Sequence, residues 1–165
     1  MKQYFTALLS LIIVASACTA QQPNKKMDKK PPAQTFAKGK TEAEWKQILT
    51  PTQFEIMVKR GTEAPFNNPY FNNHEKGVYV SAATGDTLFS SETKFESGTG
   101  WPSFWAPADK NKVTVVNDDS YGMSRDEIIE TSTGLHLGHV FNDGPKPTGL
   151  RYCMNSAAFK FIKSK

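Results

Sequence analysis

Between residues 41 and 61 the apolar positions recur at helical spacing. Beyond Pro65 they fall into short runs broken by Gly, Asn, Asp and Pro. The first stretch predicts two helices. Thr41-Glu42-Ala43-Glu44 is a capping box, in which the Thr41 hydroxyl accepts from the third helical amide and Glu44 reaches back. Trp45, Ile48 and Leu49 then share a face. Thr50-Pro51-Thr52-Gln53 repeats the device with proline at the first helical position. Phe54, Met57 and Val58 form the second apolar stripe, and Gly61 suits its C-terminal end. The later runs, rich in Val, Tyr, Phe and Ile, predict strands at 77–82, 87–90, 112–117, 126–131, 135–141, 149–155 and 157–162. No long helices alternate with them, which argues against a parallel doubly wound sheet. The expected fold is mainly β and antiparallel, behind short N-terminal helices.

The N-terminal end has a different texture. Met1-Lys2-Gln3 precedes an apolar run from Tyr4 to Val14, and Ala15-Ser16-Ala17 precedes Cys18. A charged start, a short apolar stretch and small residues are the features of a secretory leader. Small residues directly before a cysteine resemble a bacterial lipoprotein signal. The expectation is a signal peptide over 1–17 and a lipid-bearing Cys18. Several acyl chains on one cysteine would hold firmly to a membrane. Residues 18–40, rich in Gln, Lys, Pro and Ala, bury too little to offset ordering entropy and read as a tether. The folded domain is then 41–165, lipid-anchored in a bacterial cell envelope and facing the periplasm.

Charge changes the picture once it is divided. The 165-residue chain carries a net charge of +4, but residues 1–40 hold seven lysines against Asp28 alone. Residues 41–165 hold 13 basic and 15 acidic side chains, so the domain itself lacks the basic excess of a nucleic-acid binder. Two cysteines exclude a disulfide scaffold and a four-cysteine zinc site.

With Cys18 lipidated, Cys153 is the one usable thiol. In a strand, Arg151, Cys153 and Asn155 share one face while Leu150, Tyr152 and Met154 share the apolar other. A cation, a thiol and an amide in a row make a poor core and a good site, and a guanidinium beside a thiol favours the thiolate nucleophile. The bland alternative is a buried, inert cysteine. His136 and His139 would point to opposite faces of a flat strand, but a bulge at Gly138 brings both rings to one side. Imidazoles exchange protons near neutral pH. His74, in a polar loop, reads as structural. Ser97-Gly98-Thr99-Gly100-Trp101-Pro102-Ser103-Phe104-Trp105 offers an aromatic wall able to hold a methyl or thioether group. These rings can equally be core, Phe104 above all.

Ser97 to Phe104, His136 to Pro145 and Pro147 to Asn155 closely resemble the B-type methionine sulfoxide reductases, and Gly61 to Phe66, Leu88-Phe89 and Lys94-Phe95 are similar to the same family. The similarity spans about 41–162. It implies two antiparallel β-sheets with N-terminal helices, and reduction of the R epimer of methionine sulfoxide in oxidised proteins. It implies Cys153 as nucleophile, left as a sulfenic acid. His136 and His139 then bind or protonate the substrate oxygen. Asn155 orients the site, Arg151 lies near the thiol, and Trp101, with Phe104 beside it, holds the methyl group.

Two departures stand out. Many members bind zinc through two Cys-x-x-Cys pairs; here the matching positions are Ser81, Thr84, Glu130 and Thr133, so no zinc and no other cofactor is expected. Many also carry a second, resolving cysteine, and this domain has none. The sulfenic acid must therefore be reduced by an outside thiol, small or thioredoxin-like. A monomer is expected, with no nucleic-acid partner. A Cys–His hydrolase, or a lipid-anchored module that binds without turnover, is the alternative reading of the same residues.

Overall fold

The computed structural model describes residues 35–165. The leader, Cys18 and most of the tether lie outside the described residues. Both capping boxes form. Thr41 accepts from the Glu44 N–H at 3.3 Å while Glu44 accepts from the Thr41 N–H at 2.8 Å, opening α1 (Glu42–Ile48). Thr50 and Gln53 do the same for α2 (Pro51–Met57), with Pro51 at its first turn. Gly61 serves the end of α2 through space rather than conformation. The left-handed residue is Arg60, at φ 58°, whereas a Cβ on Gly61 would stand 2.9 Å from the Glu55 carbonyl that accepts its N–H.

Nine strands follow: β1 Gly77–Ser81, β2 Thr87–Ser90, β3 Lys94–Phe95, β4 Ser103–Phe104, β5 Val113–Asp118, β6 Arg125–Glu130, β7 His136–Phe141, β8 Arg151–Met154 and β9 Phe159–Lys163. They form two antiparallel sheets, one ordered β2-β1-β9 and the other β3-β4-β8-β7-β6-β5. The seven strands expected from the pattern are present. The two-residue β3 and β4 were not expected, because Gly, Ser and Pro around them signal loops. Their pairing is set by the neighbouring β8, which aligns Ser103 with Cys153.

The core lies where the two sheets meet. Tyr79, Phe89 and Phe159 of the smaller sheet enclose Phe104 of the larger, with ring centroids 5.0, 4.6 and 6.4 Å away. Phe54, Ile56 and Met57 of α2 are buried in the same cluster. Burying each such side chain is worth about 2 kcal/mol, which is what holds α2 against the sheets. Among the described residues no helix is long and apolar enough to cross a membrane.

Candidate functional site

The larger sheet places its chemistry by register. Cys153 on β8 has Ser103 of β4 on one side and His139 of β7 on the other. Phe141 faces Arg151 in the same pair of strands. The adjacent β6 sets Glu127 opposite His139. Directly paired residues share a face, so these groups converge although they are far apart in sequence.

The expected bulge is present. β6 pairs Ile128 with Gly138 and Ile129 with His136, leaving Leu137 extra on β7. The two imidazoles consequently lie 5.3 Å apart. Gly138 has a steric reason as well: a Cβ there would stand 2.3 Å from the Cys153 carbonyl oxygen.

The two histidines sit in different surroundings. His136 is 2% exposed. Its Nδ1 is 2.7 Å from Glu127 Oε1, and its Nε2 is 3.4 Å from the Asn155 side-chain nitrogen. This network assigns the proton to Nδ1, donated to the carboxylate, and leaves Nε2 to accept from Asn155. Glu127 also accepts from Arg60 at 2.5 Å. His139 instead lines a cavity of about 130 Å³ together with Cys153, Trp101, Thr62 and Asn155. Its Nε2 is 3.0 Å from Asp118 Oδ2, which Arg125 also holds at 2.8 Å. Burial pushes the His139 pKa below its ordinary 6.5, against the pull of Asp118, so the ring is neutral at neutral pH. Hydrogen bonds from the Ser120 hydroxyl, His139, the Ser120 amide and Arg125 hold the Asp118 carboxyl far below the usual range. Arg125 lines the cavity too, and its buried Nε has no acceptor among the described residues.

Cys153 is half-buried and free. The Thr99 hydroxyl lies 3.8 Å from its sulfur, and Ser97 links Thr99 (2.8 Å) to Ser103 (2.7 Å). The expectation of a thiolate favoured by Arg151 needs correction. Burial raises the thiol's pKa above the ordinary 9.0 and outweighs Thr99, Arg151 and Ser103, which all pull it down. Arg151 is already committed: it bonds both oxygens of Asp143, at 2.8 and 2.9 Å, and lies 4.4 Å over the Phe141 ring. Although so engaged, Arg151 still favours the thiolate by charge and by hydrogen bond, as expected, but burial outweighs it. The resting group is therefore a thiol.

Trp101 occupies the cavity wall as expected, its indole N–H donating to the Glu63 carbonyl at 3.0 Å. Phe104 does not. It is fully buried in the core, stacked on Phe89, because β4 turns Ser103 toward Cys153 and therefore Phe104 away. Asn155 is held by the Glu63 N–H at 3.2 Å and itself donates to the Leu137 carbonyl at 3.2 Å. Glu63 in turn accepts from the Ser156 and Ala157 amides, at 2.5 and 3.1 Å. His74 is exposed beside Asn72, in line with its structural reading. Asp118, Arg125, Glu127 and Glu63 were not singled out from the sequence. The legible signal was three charges at Arg125-Asp126-Glu127 inside a strand run, where alternation turns two of them inward.

Ser81, Thr84, Glu130 and Thr133, the positions that the resemblance aligned with a zinc site, do meet. Glu130, 1% exposed, accepts from Ser81 (3.2 Å), Thr84 (2.5 Å) and Thr133 (2.8 Å). Among the described residues no three His, Cys, Asp or Glu side chains gather closely enough to hold a metal ion.

Residues 49–163 match the SelR domain family. The chain is 54% identical over 124 residues to the peptide methionine sulfoxide reductase MsrB of Leptospira interrogans serogroup Icterohaemorrhagiae serovar Lai, covering 75% of this chain and 95% of that protein. It is 51% identical over 126 residues to the protein of the same name from Methanosarcina mazei, covering 76% and 90%. The counterpart from Hahella chejuensis is 52% identical over 122 residues, covering 74% and 88%.

Proposed function

This chain belongs to the SelR-domain family of B-type peptide methionine sulfoxide reductases, and from that premise we propose how its own residues carry the reaction. The chain reduces the R epimer of methionine sulfoxide in proteins to methionine. The Cys153 sulfur attacks the sulfoxide sulfur and takes over its oxygen. The substrate sulfur gains two electrons and leaves as a thioether; Cys153 loses two and becomes a sulfenic acid. The thiol's proton ends on the transferred oxygen, so the step balances without an outside acid. His139, neutral and backed by Asp118, passes that proton. His136 does not touch substrate: between Glu127 and Asn155 it positions the amide. Trp101 holds the methyl group. The observation that carries this reading is a single half-buried thiol sharing a small cavity with one imidazole and one indole.

An external thiol, small or thioredoxin-like, completes the cycle. It attacks the sulfenic sulfur, water leaves, and a second thiol releases Cys153 from the mixed disulfide. The domain works without zinc. Zinc prefers thiolate and imidazole donors, whereas the corresponding cluster offers one carboxylate already accepting from three hydroxyls. The leader pattern supports anchoring through lipid on Cys18 in a bacterial envelope, facing the periplasm, with oxidised proteins as clients.

The test is an assay of the separated R and S epimers of a blocked methionine sulfoxide, with a dithiol and then a monothiol as reductant. Turnover of R alone is expected, with either reductant. Without reductant, one turnover leaves a trappable sulfenate on Cys153 and no internal disulfide by mass analysis. Cys153→Ser abolishes turnover. Residual turnover in that variant, or an acyl-enzyme in place of the sulfenate, would overturn the scheme. Metal analysis of the purified protein is expected to find no stoichiometric zinc.

A further inference from the structure

The cavity over Cys153, at about 130 Å³, admits the end of one side chain. The rest of a protein client must therefore lie on its rim. One feature stands beside the segment that carries Trp101 to the cavity wall. Phe66 is 61% exposed. Its backbone is left-handed, at φ 60°, one of two non-glycine residues so placed among the described residues. It follows Pro65 in a turn, and proline followed by positive φ is the type II arrangement, in which glycine or asparagine normally takes the second place. A bulky aromatic there is strained, and strain that leaves most of the ring exposed points to function rather than stability.

The strain is held in place from the catalytic side. The Phe66 N–H donates to the Gly100 carbonyl at 2.8 Å, and the Asn68 amide donates to the same oxygen at 2.8 Å. A Cβ on Gly100 would stand 2.7 Å from Phe66 N and 2.8 Å from Phe66 Cδ2, so the contact demands glycine. Gly100 lies between Thr99, which bonds the Cys153 sulfur, and Trp101 of the cavity wall. The ring meets Phe71 edge-on at 5.8 Å, and the Phe71 carbonyl is fixed by Lys94 Nζ at 3.0 Å. A rigid, exposed aromatic face thus stands one residue from the indole that holds the reacting group.

We propose that Phe66 is a docking residue for the client chain, its ring receiving a large apolar side chain next to the oxidised methionine. The partner chemistry follows from the lesion. Oxidation makes a methionine polar and drives it, with its neighbours, out of apolar packing. An exposed ring held against Gly100, next in the chain to Trp101 of the cavity wall, collects those neighbours. The inference rests on the reductase reading above.

The experiment compares three R-sulfoxide substrates: a blocked single residue, a pentapeptide with leucine on both sides of the sulfoxide, and the same peptide with glycine. The wild type is expected to favour the leucine peptide over the glycine peptide by about fivefold in kcat/KM, through KM, the size of effect that partial burial of one side chain gives. Phe66→Asn keeps a residue that accepts the left-handed backbone and removes the ring; the preference should fall to near one. Phe66→Trp should retain it. A wild type without the preference, or a Phe66→Asn variant that keeps it, overturns the proposal. So does an equal loss by Phe66→Asn on all three substrates, which would mark a loop-holding role. A wild type inert on all three sinks the reductase reading itself, and the docking role with it.

Discussion

Glu127 and Glu130 lie on one strand, three residues apart, and each is 1% exposed. Their partners differ in kind. Glu127 meets an imidazole and a guanidinium, and through His136 its influence ends on Asn155 at the cavity. Glu130 meets three hydroxyls, from the end of β1, the β1–β2 turn and the β6–β7 turn, and its network closes on itself. A closed network holds structure, while one that ends at a cavity sets the geometry of a reaction. The same side chain, buried equally, thus takes two functions according to whether its hydrogen bonds finish at substrate.

Removing the closed network should have the largest effect on folding. Glu130→Ala leaves three inward hydroxyls without their acceptor, and even partial recovery by rotation leaves a loss of about 3 kcal/mol. Chemical denaturation is expected to show that loss, with kcat/KM of the folded enzyme within about twofold of wild type. A stable but inactive Glu130→Ala would erase the distinction.

A smaller and opposite signature is expected for Glu127→Gln. The shape and one hydrogen bond remain, while the charge opposite His136 is lost, and charge-assisted bonds are worth about 1.5 kcal/mol more than is retained. We expect kcat to fall about tenfold with little change in KM. Unfolding should shift by less than in Glu130→Ala. Equal destabilisation by both variants, with kcat intact, would show that Glu127 is only another staple.

The mildest test is pH. Burial puts the His139 pKa below its ordinary 6.5 and the Cys153 pKa above its ordinary 9.0, and in the proposed step the two share the one proton required. Below the imidazole's pKa the pair carries one proton too many; above the thiol's pKa it carries one too few. Asp118, Arg125, His136 and Arg151 face the pair; hydrogen bonds hold the Asp118 carboxyl far below its usual range, and Asp143 holds the Arg151 guanidinium above its own. The expected kcat/KM profile is therefore flat through neutral pH, with an acid limb below 6.5 and an alkaline limb above 9.0. A tenfold rise per pH unit from 7 to 9 would mean that the attacking thiolate forms without its imidazole partner.

Much of this was legible in the chain. Both helices were written in their capping boxes, seven strands in their β-rich runs, and the bulge in a glycine between two histidines. These are local properties, fixed by backbone sterics and by spacing within a few residues. The site was partly legible: Cys153, His139 and Trp101 meet at the cavity. The charged residues behind them were not, since Asp118 and Glu127 acquire meaning only when β5, β6 and β7 set them beside imidazoles.

The sequence by itself determined both helices, seven of the nine described strands and the family, and pointed to Cys153 as the candidate nucleophile, because motif identity and local geometry need no long-range information. Tertiary structure decided the rest. It sent Phe104 into the core through a two-residue strand whose register only β8 supplies. It separated two histidines, burying His136 against Glu127 and placing His139 on the cavity wall. It made Cys153 a resting thiol, because burial is a property of everything packed around a group and here outweighs the pull of Arg151, Thr99 and Ser103.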